Sequence, residues 1–517
     1  MLRPARQDRG PANPPPALGI RTRPDHAHEG CSYDRAVTLV DRTLARPRTL
    51  APVVLERLPA LDGVRAVDAA EMLRDLPGLV LLESARRGRL GRWSFLTADP
   101  LAVVEDASPG PDPFAGARRT IDRLAGGRVV GAPPFLGGLV GYLGYGLRTA
   151  LEPRLAVSDR AADRAPSPLP ELRLALHDWV IAWDGRSGTA WLGGRAADGD
   201  VAPFDARLAD IRARMANVPR GILRPPPVLA PFRSSLGRAA FEAGVEAVLD
   251  AIARGEIYQA NLTRRLSTPF TGDPWPLHRA LAAGDPALFG AYLDLGDRRA
   301  IVSASPEAFL NVDANGHVRS DPIKGTRRRG RTRALDRALA TELLASAKDR
   351  AENVMIVDVL RNDLGRVCVP GTVAVPRLCR LERTDAVQHL VSTVVGRLEP
   401  GRDAFDLLAA AFPGGSITGA PKIRAMELLD GLEAVARGPY TGAAGWIGAD
   451  GAMGTSILIR TFVADGRELS LHVGGGMTWR SDPAEEWDET VAKASGPLRA
   501  IGAVEAVDTV DAVEAGR

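Results

Sequence analysis

Lysine is the residue type whose use stands out. The 517-residue chain has 66 Lys and Arg, and Lys occupies only positions 324, 348, 422 and 493. Arginine is permanently charged, whereas the lysine amine loses its proton when buried and can then act as a nucleophile. A chain that drifted so far towards arginine yet kept four lysines suggests that arginine would not serve there, although chance placement is the competing account. Lys324 lies in Asp321-Pro322-Ile323-Lys324-Gly325-Thr326, the stretch around which the rest of the chain is read.

Two carboxylate pairs, Asp349 with Glu352 and Glu486 with Glu489, are spaced three apart, so each shares one helix face. Two such faces meeting across a cleft would offer oxygen ligands suited to Mg²⁺. The same spacing equally serves a solvated helix surface. The glycine-rich segment Phe412 through Lys422 opens a helix, and its backbone N–H groups could cradle a carboxylate. It departs from a phosphate loop, since Ala420-Pro421 separate Gly419 from Lys422 and Ile423 stands where Ser or Thr belongs. Gly474-Gly475-Gly476 implies close approach to the backbone, and Arg460, read as part of the neighbouring strand, offers a fork for a carboxylate or a structural ion pair. His389 reads as an acid/base group or a core histidine. No Gly-x-Cys-x-Gly elbow is present, so glutamine hydrolysis is not expected.

These groups need elements to hold them. The reading has a disordered extension at residues 1–48, an N-terminal region at 49–224, a proline-rich linker and a catalytic domain at 228–517. Strands are expected at 53–55, 79–82, 92–96, 172–183, 189–192, 257–266, 291–295, 301–302, 442–447, 456–462 and 469–473. Helices are expected at 67–76, 204–215, 237–254, 332–345, 350–360, 403–411, 421–432 and 483–494. Strands and helices do not alternate as βαβ units, which favours α+β over a parallel sheet. A formal charge of +3 argues against a nucleic-acid surface, and no apolar run is long enough for a membrane span. Three cysteines without CxxC spacing fit a reducing, cytoplasmic location.

Taken together the motifs resemble the chorismate-utilising enzymes. The resemblance is carried by residues 255–262 (Gly-Glu-Ile-Tyr-Gln-Ala-Asn-Leu), Ser305-Pro306-Glu307, Pro322-Ile323-Lys324-Gly325-Thr326, Lys348-Asp349-Arg350-Ala351-Glu352-Asn353, residues 361–365 and 412–422, residues 455–461 and Glu486-Trp487-Asp488-Glu489-Thr490. It runs from about residue 230 to the end, and more weakly through Trp93-Ser94-Phe95 and residues 134–138. The implied fold is two layered, largely antiparallel β-sheets flanked by helices, with the cleft between the layers.

The resemblance also implies chemistry. Members that add water carry Lys where this chain has Gln259, so Gln259 points to the ammonia-using branch. Within it, anthranilate synthases resemble Pro-Ile-Ala-Gly-Thr and aminodeoxychorismate synthases Pro-Ile-Lys-Gly-Thr; this chain has the latter. The implied reaction aminates chorismate at C4, through Lys324 attacking C2, towards 4-aminobenzoate and folate. Implied catalytic residues are Lys324, Thr326 and His389. Implied substrate-binding residues are Gln259, Gly325, Gly419, Tyr440, Arg460, Gly474, Gly476 and Lys493. Implied Mg²⁺ ligands are Glu352 and Glu489, with Glu486 and Asp349 close by. A glutamine amidotransferase subunit would supply ammonia, and a separate aminodeoxychorismate lyase would act downstream. Anthranilate synthesis, or the same chemistry in an antibiotic pathway, are the alternatives. Leu82-Glu83-Ser84 resembles the tryptophan-binding stretch of anthranilate synthases. Two positions depart from the pattern: Gly146, where an acidic residue is more common, and Asp321, where Arg is common.

Overall fold

The computed structural model describes residues 53–506, except 86–90, 109, 125–126, 158–164, 223 and 385–386. The extension expected at 1–48 lies outside the described residues.

Among the described residues twenty-two strands form two sheets, and every pairing between them is antiparallel. The first sheet runs Val53–Arg57, Thr189–Arg195, Trp179–Asp184, Trp93–Thr97, Val80–Glu83, Phe289–Gly296, Arg299–Ser305, Thr461–Asp465, Glu468–Met477, Gln259–Pro269, Gly419–Ala420. The second runs Ile323–Arg328, Val387–Arg397, His317–Ser320, Ala308–Val312, Met453–Ile457, Ala443–Gly448, Gly138–Leu143, Leu172–His177, Ala102–Glu105. Short Arg233–Ser234 joins Gln259–Pro269, and Ala374–Arg383 joins Val387–Arg397. The α+β class and the two antiparallel sheets expected from sequence are both present. Each sheet joins one block of strands from before the linker to one block from after it, through the pairings of Val80–Glu83 with Phe289–Gly296 and of Gly138–Leu143 with Ala443–Gly448, so the larger hydrophobic clusters draw on both regions.

Among the described residues the chain passes from one sheet to the other six times, four of them through short segments: 98–101, Asp178, Pro306-Glu307 and 458–460. The run expected as one strand at 172–183 is two: Leu172–His177 lies in the second sheet and Trp179–Asp184 in the first, with buried Asp178 at the junction. The strand expected at 456–462 likewise divides. Met453–Ile457 belongs to the second sheet, Thr461–Asp465 to the first, and Arg460 between them takes a left-handed φ of 51°. Arg460 is therefore in a crossing and not on a strand. The third crossing joins Arg299–Ser305 to Ala308–Val312 through Pro306-Glu307. Ile457 N donates to Glu307 O at 3.1 Å, which ties two crossings together between the layers.

Helices cover what the sheets leave open. In Arg238–Ala253, Phe241, Val245 and Val248 are buried at helical spacing against the Gln259–Pro269 strand. That helix packs on Pro483–Ala500, which is capped by the Asp482 side chain and has Pro483 in its first turn. Ala347–Gly365 begins three residues before the expected start of 350. Ser346 Oγ accepts from Asp349 N and so fixes the first turn. Its buried Asn353, Ile356, Val357, Leu360 and Leu364 face the Val387–Arg397 strand and the Ala404–Ala411 helix.

Candidate active site

A cavity of about 580 Å³ opens between the layers. The Ile323–Arg328 strand places Lys324, Gly325 and Thr326 in its wall, and the register of that strand on Val387–Arg397 sets Thr326 opposite His389. Thr326 Oγ1 and His389 Nδ1 are 2.8 Å apart. Gly325 has φ +79°, and a Cβ there would stand 2.8 Å from Asp349 Cβ; only glycine lets the helix come so close. Ala347–Gly365 contributes Lys348, Asp349 and Glu352, and Pro483–Ala500 contributes Glu486, Glu489 and Lys493. Tyr440, Arg460, Gly474 and Gly476 complete the wall.

Lys324 Nζ donates to Ser416 O at 3.1 Å. Burial pulls its pKa below the ordinary lysine value; Glu307 and Glu352 oppose the shift, and Lys493 adds to it. Glu307, from the Pro306-Glu307 crossing, is buried and lines the same wall. Burial raises its pKa, while Lys324, the Ser416 side chain and the Ile323 backbone act against the rise. A neutral amine beside a carboxyl able to give up a proton can form a bond to carbon and protonate what leaves.

The site brings together Lys324, Gly325, Thr326, His389, Tyr440, Arg460, Gly474, Gly476, Lys493 and the four carboxylates. Two proposed binders fall behind the wall. Gly419 pairs with Ala260, and a Cβ there would come 2.2 Å from Gln259 O. Gln259 is fully buried, and its amide makes no hydrogen bond among the described residues. Its Nε2 lies 2.3 Å from the point where a Cβ on Gly476 would stand, and Lys324 Nζ lies 3.7 Å from the same point. Gln259 is thus a close neighbour of Lys324 and not part of the wall. Asp321 is buried against Arg319 and Thr393, a structural ion pair. Gly146 N donates to Glu171, which fills the space an acidic side chain at 146 would take. Sequence reasoning gave no role to Glu307 or Lys348. The scarcity of lysine pointed at Lys348; nothing in spacing pointed at Glu307. The fourth lysine, Lys422, bonds Asp363 at 2.9 Å and Ala411 O at 3.2 Å, and so ties the 412–421 loop to a helix.

The acidic groups offer oxygen donors only, the set preferred by Mg²⁺. Glu486 Oε2 and Glu489 Oε1 flank Gly475 at 2.8 and 3.7 Å from its would-be Cβ. Lys493 Nζ sits 2.6 Å from Glu489 Oε1 and also donates to Gly474 O. Burial pushes Glu489 up, but Lys493, Lys348 and Lys324 outweigh it and hold the pKa below the ordinary value. Burial raises Glu352 and Glu486. Asp349 is engaged by Arg327 at 3.3 Å. Among the described residues no three His, Cys, Asp or Glu side chains are gathered closely enough to hold an ion as they stand. The donor chemistry fits Mg²⁺, and Glu352, Glu486 and Glu489 are the residues that would hold it.

A second cavity, of about 920 Å³, lies between the sheets and is lined by Leu82, Glu83, Ser84, Phe95 and Trp446, among others. Burial raises the Glu83 carboxyl pKa to about 7.

The family model for chorismate binding enzymes matches residues 80–499. The chain belongs to the chorismate-binding enzyme family. Among curated relatives of this chorismate-binding enzyme, the aminodeoxychorismate synthase component 1 of Salmonella typhimurium is 40% identical over 71% of this chain and 77% of its own length. The anthranilate synthase component 1 of Streptomyces coelicolor is 38% identical over 89% and 91%. The crystal structure of anthranilate synthase component I from Streptococcus pneumoniae superposes with a TM-score of 0.70 and 28% identity, covering 80% of this chain and 93% of that one. The isochorismate synthase MenF of Escherichia coli shares the fold, with a TM-score of 0.67 at 17% identity.

Proposed function

We propose that this chorismate-binding enzyme replaces the C4 hydroxyl of chorismate with ammonia, giving 4-amino-4-deoxychorismate and water. The observation that carries the reading is a lysine, depressed in pKa, in the cavity wall beside a buried carboxyl. The Lys324 amine attacks ring C2, both ring double bonds shift along the ring, and the C4–O bond breaks. Glu307 hands its proton to the departing oxygen, which leaves as water. Ammonia then adds at C4, both double bonds shift back, the C2–N bond breaks to return the amine, and a proton released from nitrogen restores Glu307. Alanine in place of lysine could do none of this. Thr326 and His389, hydrogen-bonded to one another, would face the C4 oxygen. Arg460, Tyr440, Lys493 and the backbone at Gly474 and Gly476 would hold the two substrate carboxylates. Glu352, Glu486 and Glu489 would hold Mg²⁺, which when bound neutralises charge on the ring carboxylate.

The relatives include proteins named for either amination. Lys324 favours the C4 product, and the component I names of the relatives support an ammonia-donating amidotransferase partner. With that product a separate lyase would act downstream, in the cytoplasm, to give 4-aminobenzoate for folate or for an antibiotic pathway.

The test is a product assay with chorismate, ammonium and Mg²⁺, with and without added aminodeoxychorismate lyase. Formation of 4-aminobenzoate only with the lyase is expected, and a chelator should abolish it. Anthranilate would transfer the assignment to the C2 reaction. Lys324→Ala is expected to lose at least about a hundredfold in kcat, within the range for a lost covalent or acid–base group; an unchanged rate would remove Lys324 as nucleophile.

A further inference from the structure

Arg264, on the Gln259–Pro269 strand, is a fully buried charge. Its guanidinium donates through Nη1 and Nη2 to the two oxygens of Glu505, at 2.5 and 3.2 Å, and through Nη1 to Ser234 Oγ at 3.1 Å. Glu505 is fastened in turn by its neighbours. Phe232 N donates to Val504 O at 2.9 Å, and Ala506 N donates to Phe232 O at 2.7 Å. The fork is thus held by residues 232–234 and by the C-terminal segment.

The rest of the guanidinium engages the Pro483–Ala500 helix. Its Nε donates to Thr490 Oγ1 at 2.8 Å, and its carbon lies 4.3 Å from the centre of the Trp487 ring. Trp487 and Thr490 are the residues that follow Glu486 and Glu489. At 3.6 residues per turn, their face lies about 100° around the helix from the carboxylates. On the cavity side, Ser481 Oγ donates to Glu486 at 2.6 Å and Lys493 sits 2.6 Å from Glu489. Those contacts hold the carboxylates; Arg264 holds the rotation of the helix that carries them.

Stability alone does not account for this arrangement. Apolar side chains of similar volume replace a buried ion pair at little cost, and Phe241 already packs edge-on against Trp487 at 5.7 Å. A rigid planar fork adds a fixed direction, which an apolar side chain does not. The worth of that direction can be sized. A carboxylate about 5–6 Å from a helix axis moves about 2 Å when the helix turns by about 20°. Mg²⁺ takes its oxygens at about 2.0–2.1 Å in near-ideal octahedral geometry, so a turn of that size removes a ligand.

We infer that Arg264, fixed by Glu505, is the positioning residue that sets Glu486 and Glu489 for Mg²⁺. The inference rests on the metal assignment within the proposed function. It joins the C-terminal segment to the metal site, although Glu505 lines no part of that cavity.

The test uses E505A, which frees the guanidinium, E505Q, which leaves it a neutral acceptor, and T490V, which removes the helix contact and keeps the shape. Mg²⁺ alone is titrated calorimetrically into the metal-free full chain, and chorismate consumption with ammonium is followed against Mg²⁺ concentration. Urea midpoints check that each variant is folded. The Mg²⁺ dissociation constant is expected to rise about tenfold in E505A and T490V, and less in E505Q. At saturating Mg²⁺, kcat should stay within about twofold of wild type. Mg²⁺ affinity within about twofold of wild type in the folded variants would overturn the inference and leave Arg264 a structural ion pair. A kcat at saturating Mg²⁺ that falls as far as the affinity would also overturn it, since the whole site would then be disturbed. A wild-type chain that binds no Mg²⁺, and consumes chorismate equally well with a chelator, would instead remove the metal assignment and the inference with it.

Discussion

Lys324 and Glu307 act on one another through their charges, so their protonation belongs to the pair. The reactive arrangement, neutral amine and protonated carboxyl, holds the same number of protons as the ammonium–carboxylate pair. Activity should therefore fall on both sides of a bell, at low pH when both groups carry a proton and at high pH when the shared one is lost. Lowering of the lysine and raising of the carboxyl bring the two forms closer in energy. Glu307→Gln keeps the shape but removes the acid: kcat is expected to drop about 10²-fold or more. The low-pH limb should then move upward, because Lys324 alone must lose its proton. An unshifted limb, measured on kcat/KM from pH 5 to 10, would mean that Glu307 does not share the proton. Lys324 was legible in the sequence because lysine is so rare there. Glu307 stood within the Ser305-Pro306-Glu307 stretch but its role was not legible, because one Glu after Pro has no periodic partner, and only the sheet crossing brings it to the amine.

The crossings and loops that carry these groups are held from behind by Arg437, which is fully buried. Its guanidinium donates to Ile417 O at 3.0 Å, Asn261 O at 2.6 Å and Glu433 at 2.6 Å, and lies 4.4 Å from the centre of the Tyr145 ring. Ile417 adjoins Ser416, whose carbonyl accepts from Lys324, and Asn261 lines the cavity. Arg437→Met would strand the Glu433 carboxylate and two carbonyls, at a cost of about 3–5 kcal/mol. Arg437→Met with Glu433→Met should recover part of the loss, because no charge is then left buried alone. Urea midpoints of the single and double variants check this; a double variant no better than the single would deny that the pair is the source of the cost. The helices around these loops were readable from apolar spacing and capping residues. The Ala374–Arg383 and Val387–Arg397 strands were not. Six of the ten residues of the first are exposed and its register on the second shifts twice, so no clean alternation survives to be read.

At the scale of the molecule, two sheets that each join strands of both chain regions enclose several buried clusters, and that burial extends to groups that water would charge. A cleft was expected between the layers and a cavity lies there, but the order of strands was beyond reach because many paired neighbours, such as Val80–Glu83 with Phe289–Gly296, come from far apart in the chain. His278, on the Trp275–Gly284 helix, packs against Trp275 and Tyr292 with ring centroids 5.3 and 5.5 Å away. Neither ring nitrogen has a partner among the described residues. Burial, with Arg279 adding to it, drives its pKa from the ordinary 6.5 to about 3. Below pH 6.5 the unfolded chain takes up a proton that the folded ring refuses, so stability falls with pH until the folded pKa is reached. The slope is about 1.4 kcal/mol per pH unit for one such group. His177, lowered to about 4 by burial, adds a second slope of the same sign. His278→Leu sacrifices no hydrogen bond and cannot take up the proton in either state. Relative to wild type, its unfolding free energy should rise by about 1.4 kcal/mol for each unit of pH between 6 and 4. Urea unfolding of both proteins at pH 7, 6, 5 and 4.5 measures that difference. A constant offset across the series would mean that the ring is already protonated in the folded chain, with Arg279 turned away from it.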